Sequence, residues 1–252
     1  MRTTTRKCLM FTIVAFLFIG CCQIAMAMTG KEIIDKSMEI TQPDSATSTV
    51  AMRIYKGDKV LEKEFELATK KDGEDSSKAL LSFTKPTKIK LLTHINKGKD
   101  DDQWLRMSSG RVTRIAASGK DKTFVNSHFT YEDLSSRNDE DYNYTLIGSE
   151  TVNGDDCHKI EAVKKEGKSA YDKSIVYVRK SDYVVLRLDI FQKGKLFKYV
   201  VNSDIRDVDG IKTPFKIVMQ MADDSGKTEL DVLSVQYNVE LKDSMFNKDA
   251  LR

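Results

Sequence analysis

The chain has 252 residues, with 41 Lys and Arg against 38 Asp and Glu, and four cysteines. Three of the bases (Arg2, Arg6 and Lys7) and none of the acids fall in the first 27 residues, so residues 28–252 carry 38 of each sign. A formally neutral domain lacks the basic footprint that displaces counterions from nucleic acid, which excludes that class of partner. Cys8, Cys21 and Cys22 share the N-terminal stretch, and the lone remaining thiol, Cys157, excludes an internal disulfide framework.

Residues 1–27 read as a cleavable secretion signal. The apolar run over 8–24 is broken only by Thr12, Gly20 and Gln23, and it closes on Ala25-Met26-Ala27. That run is short against the roughly 20 residues of a spanning helix. The reading places one soluble domain, residues 28–252, in the periplasm. A second reading stays open: Gly20-Cys21 resembles the end of a lipobox, with Phe18 where Leu is usual, and would leave the chain lipid-anchored at Cys21.

Past the signal, Thr29 with Glu32 three residues on fits a capping box, and Ile33, Ile34 and Met38 make one apolar stripe. Pro43 ends the helix. The period then changes to two. Val50, Met52 and Ile54 form one apolar set; Leu61, Phe65 and Leu67 alternate with Glu62, Glu64 and Glu66. Val184, Leu186, Leu188 and Ile190 form another, and Leu233, Val235, Tyr237, Val239 and Leu241 a last one. Turn signals separate the runs at Gly57-Asp58, Asp72-Gly73, Asn153-Gly154, Lys193-Gly194, Asp209-Gly210 and Ser225-Gly226. About ten strands in an antiparallel meander follow, each with one wet and one apolar face. The apolar face needs a cover. The opening helix is one candidate and the non-alternating segment 124–134 another.

No catalytic or metal constellation emerges. His94, His128 and His158 are unpaired at helical spacing, and neither G-x-S-x-G nor H-E-x-x-H occurs. Asp155-Asp156-Cys157-His158 follows a hairpin turn and reads as turn and strand-edge chemistry; 97–102 and 139–141 read as solvated loops. On a strand, Cys157 and His158 would face opposite sides, which denies the thiol its neighbouring base.

Segment 100–134 is the most informative. It contains Asp101-Asp102-Gln103-Trp104-Leu105, Arg111-Val112-Thr113-Arg114-Ile115, and Phe124-Val125-Asn126-Ser127-His128-Phe129-Thr130-Tyr131-Glu132-Asp133-Leu134. An acidic run before Trp-Leu, an Arg-rich strand ending in Arg-Ile, and the Phe-x-Tyr-Glu-Asp-Leu string resemble the outer-membrane lipoprotein-sorting proteins, the LolA/LolB-like family. The likeness runs on through Val152-Asn153-Gly154, the strand around 195–198, Val208-Asp209-Gly210 and the end of the chain. Two stretches depart from it. Arg106-Met107-Ser108-Ser109 replaces an aromatic-Leu-Pro-Ala run, and Asn126-Ser127-His128-Phe129 replaces Gly-Ser-Asp-Phe.

The resemblance implies a mainly β fold: a strongly curved antiparallel sheet, an incomplete barrel, with helices over its concave apolar face. It implies a periplasmic, monomeric carrier or receptor, without cofactor or metal, that binds acyl chains of lipoproteins or lipids and helps move them toward the outer membrane, with an inner-membrane transporter as a possible partner. The hollow and its lid would be Trp104, Leu105, Ile115, Phe124, Phe129, Tyr131 and Leu134, with Arg111 and Arg114 at the rim. Two other readings stand beside it. One is a periplasmic sensor or scaffold that binds a membrane partner and carries no cargo. The other is a lipid hydrolase using His128 with Glu132 or Asp133.

Overall fold

The structure, a computed structural model, describes residues 28–40, 43–73, 76–96, 101–135, 141–166 and 169–251. Residues 1–27, which the sequence reads as a secretion signal, with their three cysteines, and the cores of two charged loops lie outside the described residues.

Among the described residues one α-helix, α1 (Gly30–Glu39), precedes thirteen strands. The first six are β1 (Ser45–Lys56), β2 (Lys59–Lys71), β3 (Ser77–Lys85), β4 (Lys90–Ile95), β5 (Asp102–Arg106) and β6 (Val112–Ile115). After a long connection come β7 (Tyr142–Val152), β8 (Asp155–Lys164), β9 (Lys173–Arg179), β10 (Val185–Gln192), β11 (Lys195–Val208), β12 (Ile211–Met221) and β13 (Lys227–Tyr237). Two 3-10 turns, Asp243–Phe246 and Lys248–Leu251, end the chain.

The strands form one antiparallel sheet in the order β6-β5-β4-β3-β2-β1-β13-β12-β11-β10-β9-β8-β7. Two local meanders are therefore joined by a single ladder between β1 and β13, with β6 and β7 as free edges. The turns explain the meanders. Asn153-Gly154, Lys193-Gly194 and Asp209-Gly210 each hold two consecutive residues at positive φ, the two-residue geometry that matches strand twist.

The helix starts as the capping box requires. Thr29 accepts from Glu32 N at 3.2 Å, and the Glu32 carboxylate accepts from Thr29 N at 2.7 Å. Replacing Thr29 by alanine removes one half of that exchange. It should lower stability by about 1 kcal/mol, read from denaturant midpoints. The next residue must be glycine for a packing reason: a Cβ at Gly30 would sit 2.9 Å from Leu146 N on β7. The helix thus lies directly on that edge strand, burying Ile33 and Ile34 against Ile160, Ala162, Val176 and Val178.

Register shows which residues share a face. Ile54 lies opposite Thr228, Thr228 opposite Met219, and Met219 opposite Val200; Val200 then meets Leu188, Leu188 meets Val176, and Val176 meets Ile160. On the other side Val50 faces Phe65, and Phe65 faces Phe83. The helix-covered cluster and the Val50–Met52–Ile54 cluster are consequently on one face, here the inner face. The outer face has its own covers. Phe246 and Leu251 of the C-terminal turns pack on Ala68, Leu80 and Leu92, while Cys157, Ile175, Tyr177, Val184 and Leu186 form a separate outer cluster.

Two expected runs are broken by bulges. Val232 faces Val50 but Ser234 faces Thr49, so Leu233 is an extra residue and lies 56% exposed, while Val235 and Tyr237 stay inward. In β10 the register slips between Val185 and Arg187; Val184 and Leu186 pack outward, whereas Leu188 packs inward beside the helix cluster. A bulge inserts one residue and reverses the parity of everything beyond it.

Candidate functional site: the inner face and the segment that crosses it

The free edges β6 and β7 are linked by residues 116–141, and 116–135 of these cross the inner face. The expectation of a second covering helix is corrected here. After one 3-10 turn at Ala117–Gly119, the segment is a series of turns closed on itself. Phe124 N donates to Phe129 O (2.8 Å), Tyr131 N to Lys122 O (3.2 Å) and Glu132 N to Lys120 O (2.8 Å). Val125 and Asn126 take positive φ, and Ser127 Oγ donates to Phe124 O at 2.7 Å. This tight loop drives Phe124 into the sheet.

Phe124 is 1% exposed, with its ring 5.8 Å from Phe83 and 5.6 Å from Tyr131. Leu105, Ile115 and Leu134 pack against the same cluster, which includes Val50, Phe65, Leu81 and Leu91. Fully buried Gln103 donates to Tyr131 O at 3.2 Å and so fixes the segment to β5.

The far end of the segment docks through charge. Lys198, on the inner face of β11, is 1% exposed at its side chain, and its Nζ lies 2.5 Å from Asp133 Oδ2. The same ammonium donates to His128 O at 3.3 Å. Asp133 also accepts from Thr130 N (2.7 Å) and, on its other oxygen, from Tyr171 Oη (2.9 Å). Burial, followed by the Asp133 charge, pushes the Tyr171 phenol far up, so it stays protonated and donates. Glu132 accepts from Ala170 N (3.0 Å) and Ser169 Oγ (2.5 Å), tying the segment to the β8–β9 connection.

His128 N donates to Thr228 Oγ1 (3.0 Å), and His128 Nδ1 lies 2.8 Å from that hydroxyl. Burial first, and then Lys56 and Lys198, hold the imidazole below its ordinary pKa. It is therefore neutral near pH 7, and the Thr228 hydroxyl can donate to Nδ1. The acid–base pair that a hydrolase would build from His128 with Glu132 or Asp133 is not assembled, because these carboxylates are bound to other partners. Gly226 lies beneath: a Cβ there would fall 2.4 Å from Tyr55 O and 2.7 Å from His128 Nε2.

Among the residues expected from the sequence, Leu105, Ile115, Phe124, Tyr131 and Leu134 meet on the inner face. Phe129 is half-buried in the same segment. Trp104 is a correction. It pairs with Leu92 and Arg114, packs against Phe246 and Leu251 on the outer face, and stacks edge-on with His94 at 5.0 Å. Strand alternation places Trp104 and Leu105 on opposite faces. Of the two rim arginines, Arg114 is placed elsewhere. Arg114 shares the face of Trp104 and pairs with Asp102, and Arg111 is exposed in the β5–β6 turn. At Cys157, buried on the outer face, burial raises the thiol pKa, and Arg179 pairs with Asp155 at 3.1 Å. That thiol is protonated and structural.

The floor between the two covers was not foreseen. Val200, Asn202, Ile217, Leu230 and Val232 are half-buried, and their strand pairings place them on the inner face. Leu230 and Val232 border the Phe124 cluster and Leu188 borders the helix cluster, while Val200 and Ile217 belong to neither. A cleft of about 490 Å³ adjoins this strip, lined by Ser127, His128, Tyr171, Lys198 and Met221 among others. The alternation of Phe215, Ile217 and Met219, and of Thr228, Leu230 and Val232, was the signal available for it.

Comparison with other proteins agrees with this geometry. A family described as an uncharacterized protein matches residues 75–252. A DUF1329 family protein from Desulfovibrio piger is 29% identical, with a TM-score of 0.85 over 88% of this chain and 98% of its own. A domain described as an outer-membrane lipoprotein-sorting protein domain, from Vibrio parahaemolyticus, is 26% identical, with a TM-score of 0.84 over 88% and 97% of the two chains. The chain belongs to the family matched over residues 75–252, and its fold is LolA-like. A LolA superfamily protein from Nitrosomonas europaea shares the fold at 22% identity and a TM-score of 0.70, covering 89% of this chain and 100% of that one. No curated protein matches the sequence. In this LolA-like chain the divergent Arg106-Met107-Ser108-Ser109 stretch forms the β5–β6 turn, with Met107 41% exposed.

Proposed function

We propose that the chain is an exported periplasmic carrier or receptor that holds the acyl chain of a lipoprotein or lipid along the inner face and passes it toward the outer membrane. The half-buried strip Val200–Ile217–Leu230–Val232, between the helix and the crossing segment, carries this reading. Each methylene taken from water onto such a surface gains roughly 0.8 kcal/mol. The adjoining cleft, about 490 Å³, falls within the range of small-ligand sites. Likeness to a domain described as lipoprotein-sorting supports the cargo class, and among the described residues no helix is long and apolar enough to cross a membrane. Removal of residues 1–27 and a monomeric working form belong to the same proposal.

Titration of purified residues 28–252 with a fluorescent fatty acid should saturate at about one ligand per chain, with the ligand recovered intact. Absence of saturable binding, or steady release of fatty acid from phospholipid in proportion to protein, would sink the carrier. The sensor or scaffold reading has one observation in its favour: Phe124 and Tyr131 themselves fill the β1–β4 half of the face. Protein that copurifies with no lipid and takes up none belongs to that second reading.

A further inference from the structure

We infer that Lys198 is the headgroup site of the groove, and that the anionic end of a single-chain amphiphile, a carboxylate or a phosphate, binds it by replacing Asp133. The inference rests on the carrier reading and names the ligand class it selects. Val200 lies two residues from Lys198 on the same side of β11, and their partners Met219 and Met221 stand likewise on β12. A chain lying along Val200 and Ile217 would thus bring its polar end to the cleft wall that Lys198 and Tyr171 form.

Lys198 is the lysine buried among the described residues, and the crossing segment supplies the Asp133 carboxylate that pairs with it. A buried ammonium left alone is strongly unfavourable. Lifting the segment off Lys198 is therefore costly unless another anion takes the place of Asp133. Exchange of one carboxylate for another keeps the ammonium paired. Tyr171 Oη and the Lys198 Nζ both point to Asp133 and supply two donors to whichever anion sits there. A neutral amphiphile offers no such exchange. The released Asp133 swings toward solvent with its segment, so anion binding and opening of the cover become one event.

The test is a titration of full mature protein with dodecanoate, dodecyl phosphate and dodecanol, on the wild type and two variants. Wild type should bind the two anions at least about tenfold more tightly than dodecanol, the scale of one charge-assisted hydrogen bond. Asp133→Asn keeps a group able to bond Thr130 and Tyr171 but removes the competing charge. It should raise affinity for the anions about tenfold and leave dodecanol unchanged, a gain that loss of a purely structural contact would not produce. Lys198→Met with Asp133→Leu, which removes both charges without orphaning either, should bind dodecanol at least as well as wild type and lose the preference for anions. Dodecanoate alone favoured would mark a fatty-acid end, and dodecyl phosphate alone favoured a phospholipid-like end; either supports the site. Equal binding of all three by wild type, or an anion preference that survives in the double variant, overturns the headgroup site while leaving the carrier standing. Binding of none of the three overturns both.

Discussion

Asp133→Leu alone should destabilise the domain by about 3–5 kcal/mol, and adding Lys198→Met should recover most of that loss. The single change leaves the Lys198 ammonium, 1% exposed, without its carboxylate. Breaking one side of a buried pair costs about that much, whereas replacing both partners by apolar groups of similar volume is often neutral. Urea midpoints of the wild type, Asp133→Leu, Lys198→Met and the double variant close the cycle, and the coupling energy isolates the pair. A single variant within about 1 kcal/mol of wild type would mean that water reaches the ammonium, and the docking of the crossing segment by charge would be rejected.

The second large effect separates two phenylalanines in the same segment. Phe124→Ala should cost about 3–5 kcal/mol, because its ring is enclosed by Phe83, Tyr131 and the Val50 cluster and the cavity cannot collapse. Phe129→Ala should cost about 1–2 kcal/mol, since that side chain is only half-buried. Acyl-ligand affinity should fall in Phe129→Ala protein that stays folded. Equal stability losses at the two positions, with affinity unchanged in folded Phe129→Ala, would assign Phe129 to the core.

What could be read in advance follows from how local each signal is. The Thr29–Glu32 box, the Asn-Gly and Asp-Gly turns and the Val50–Met52–Ile54 alternation each lie within a few residues, and each reappears in the fold. Leu233 and Leu186 were misassigned because counting by two assumes that no residue is inserted, and a bulge shows only against its partner strand. Trp104 was assigned to the hollow because the family motif makes it prominent. Its neighbours Phe246 and Leu251 arrive from more than a hundred residues downstream. Lys198 was invisible for a similar reason: among the many lysines of the chain, only tertiary structure brings Asp133 and Tyr171 to this one.

The two ends of the described chain are exchanged. Helix α1, from the start, lies on β7–β9 of the second meander, and the 3-10 turns from the end lie on β3 and β4 of the first. Between them the β1–β13 ladder is the one seam in the sheet. Each meander can form hairpins by local search, yet each takes one of its covers from a distant part of the chain: α1 is made before the strands it covers, and the turns that cover β3 and β4 are made last. A nascent chain halted before β13 would present β1 and β12 as two further open edges, and unpaired edges invite pairing between molecules. Completion of the sheet is thereby postponed until β13 is available.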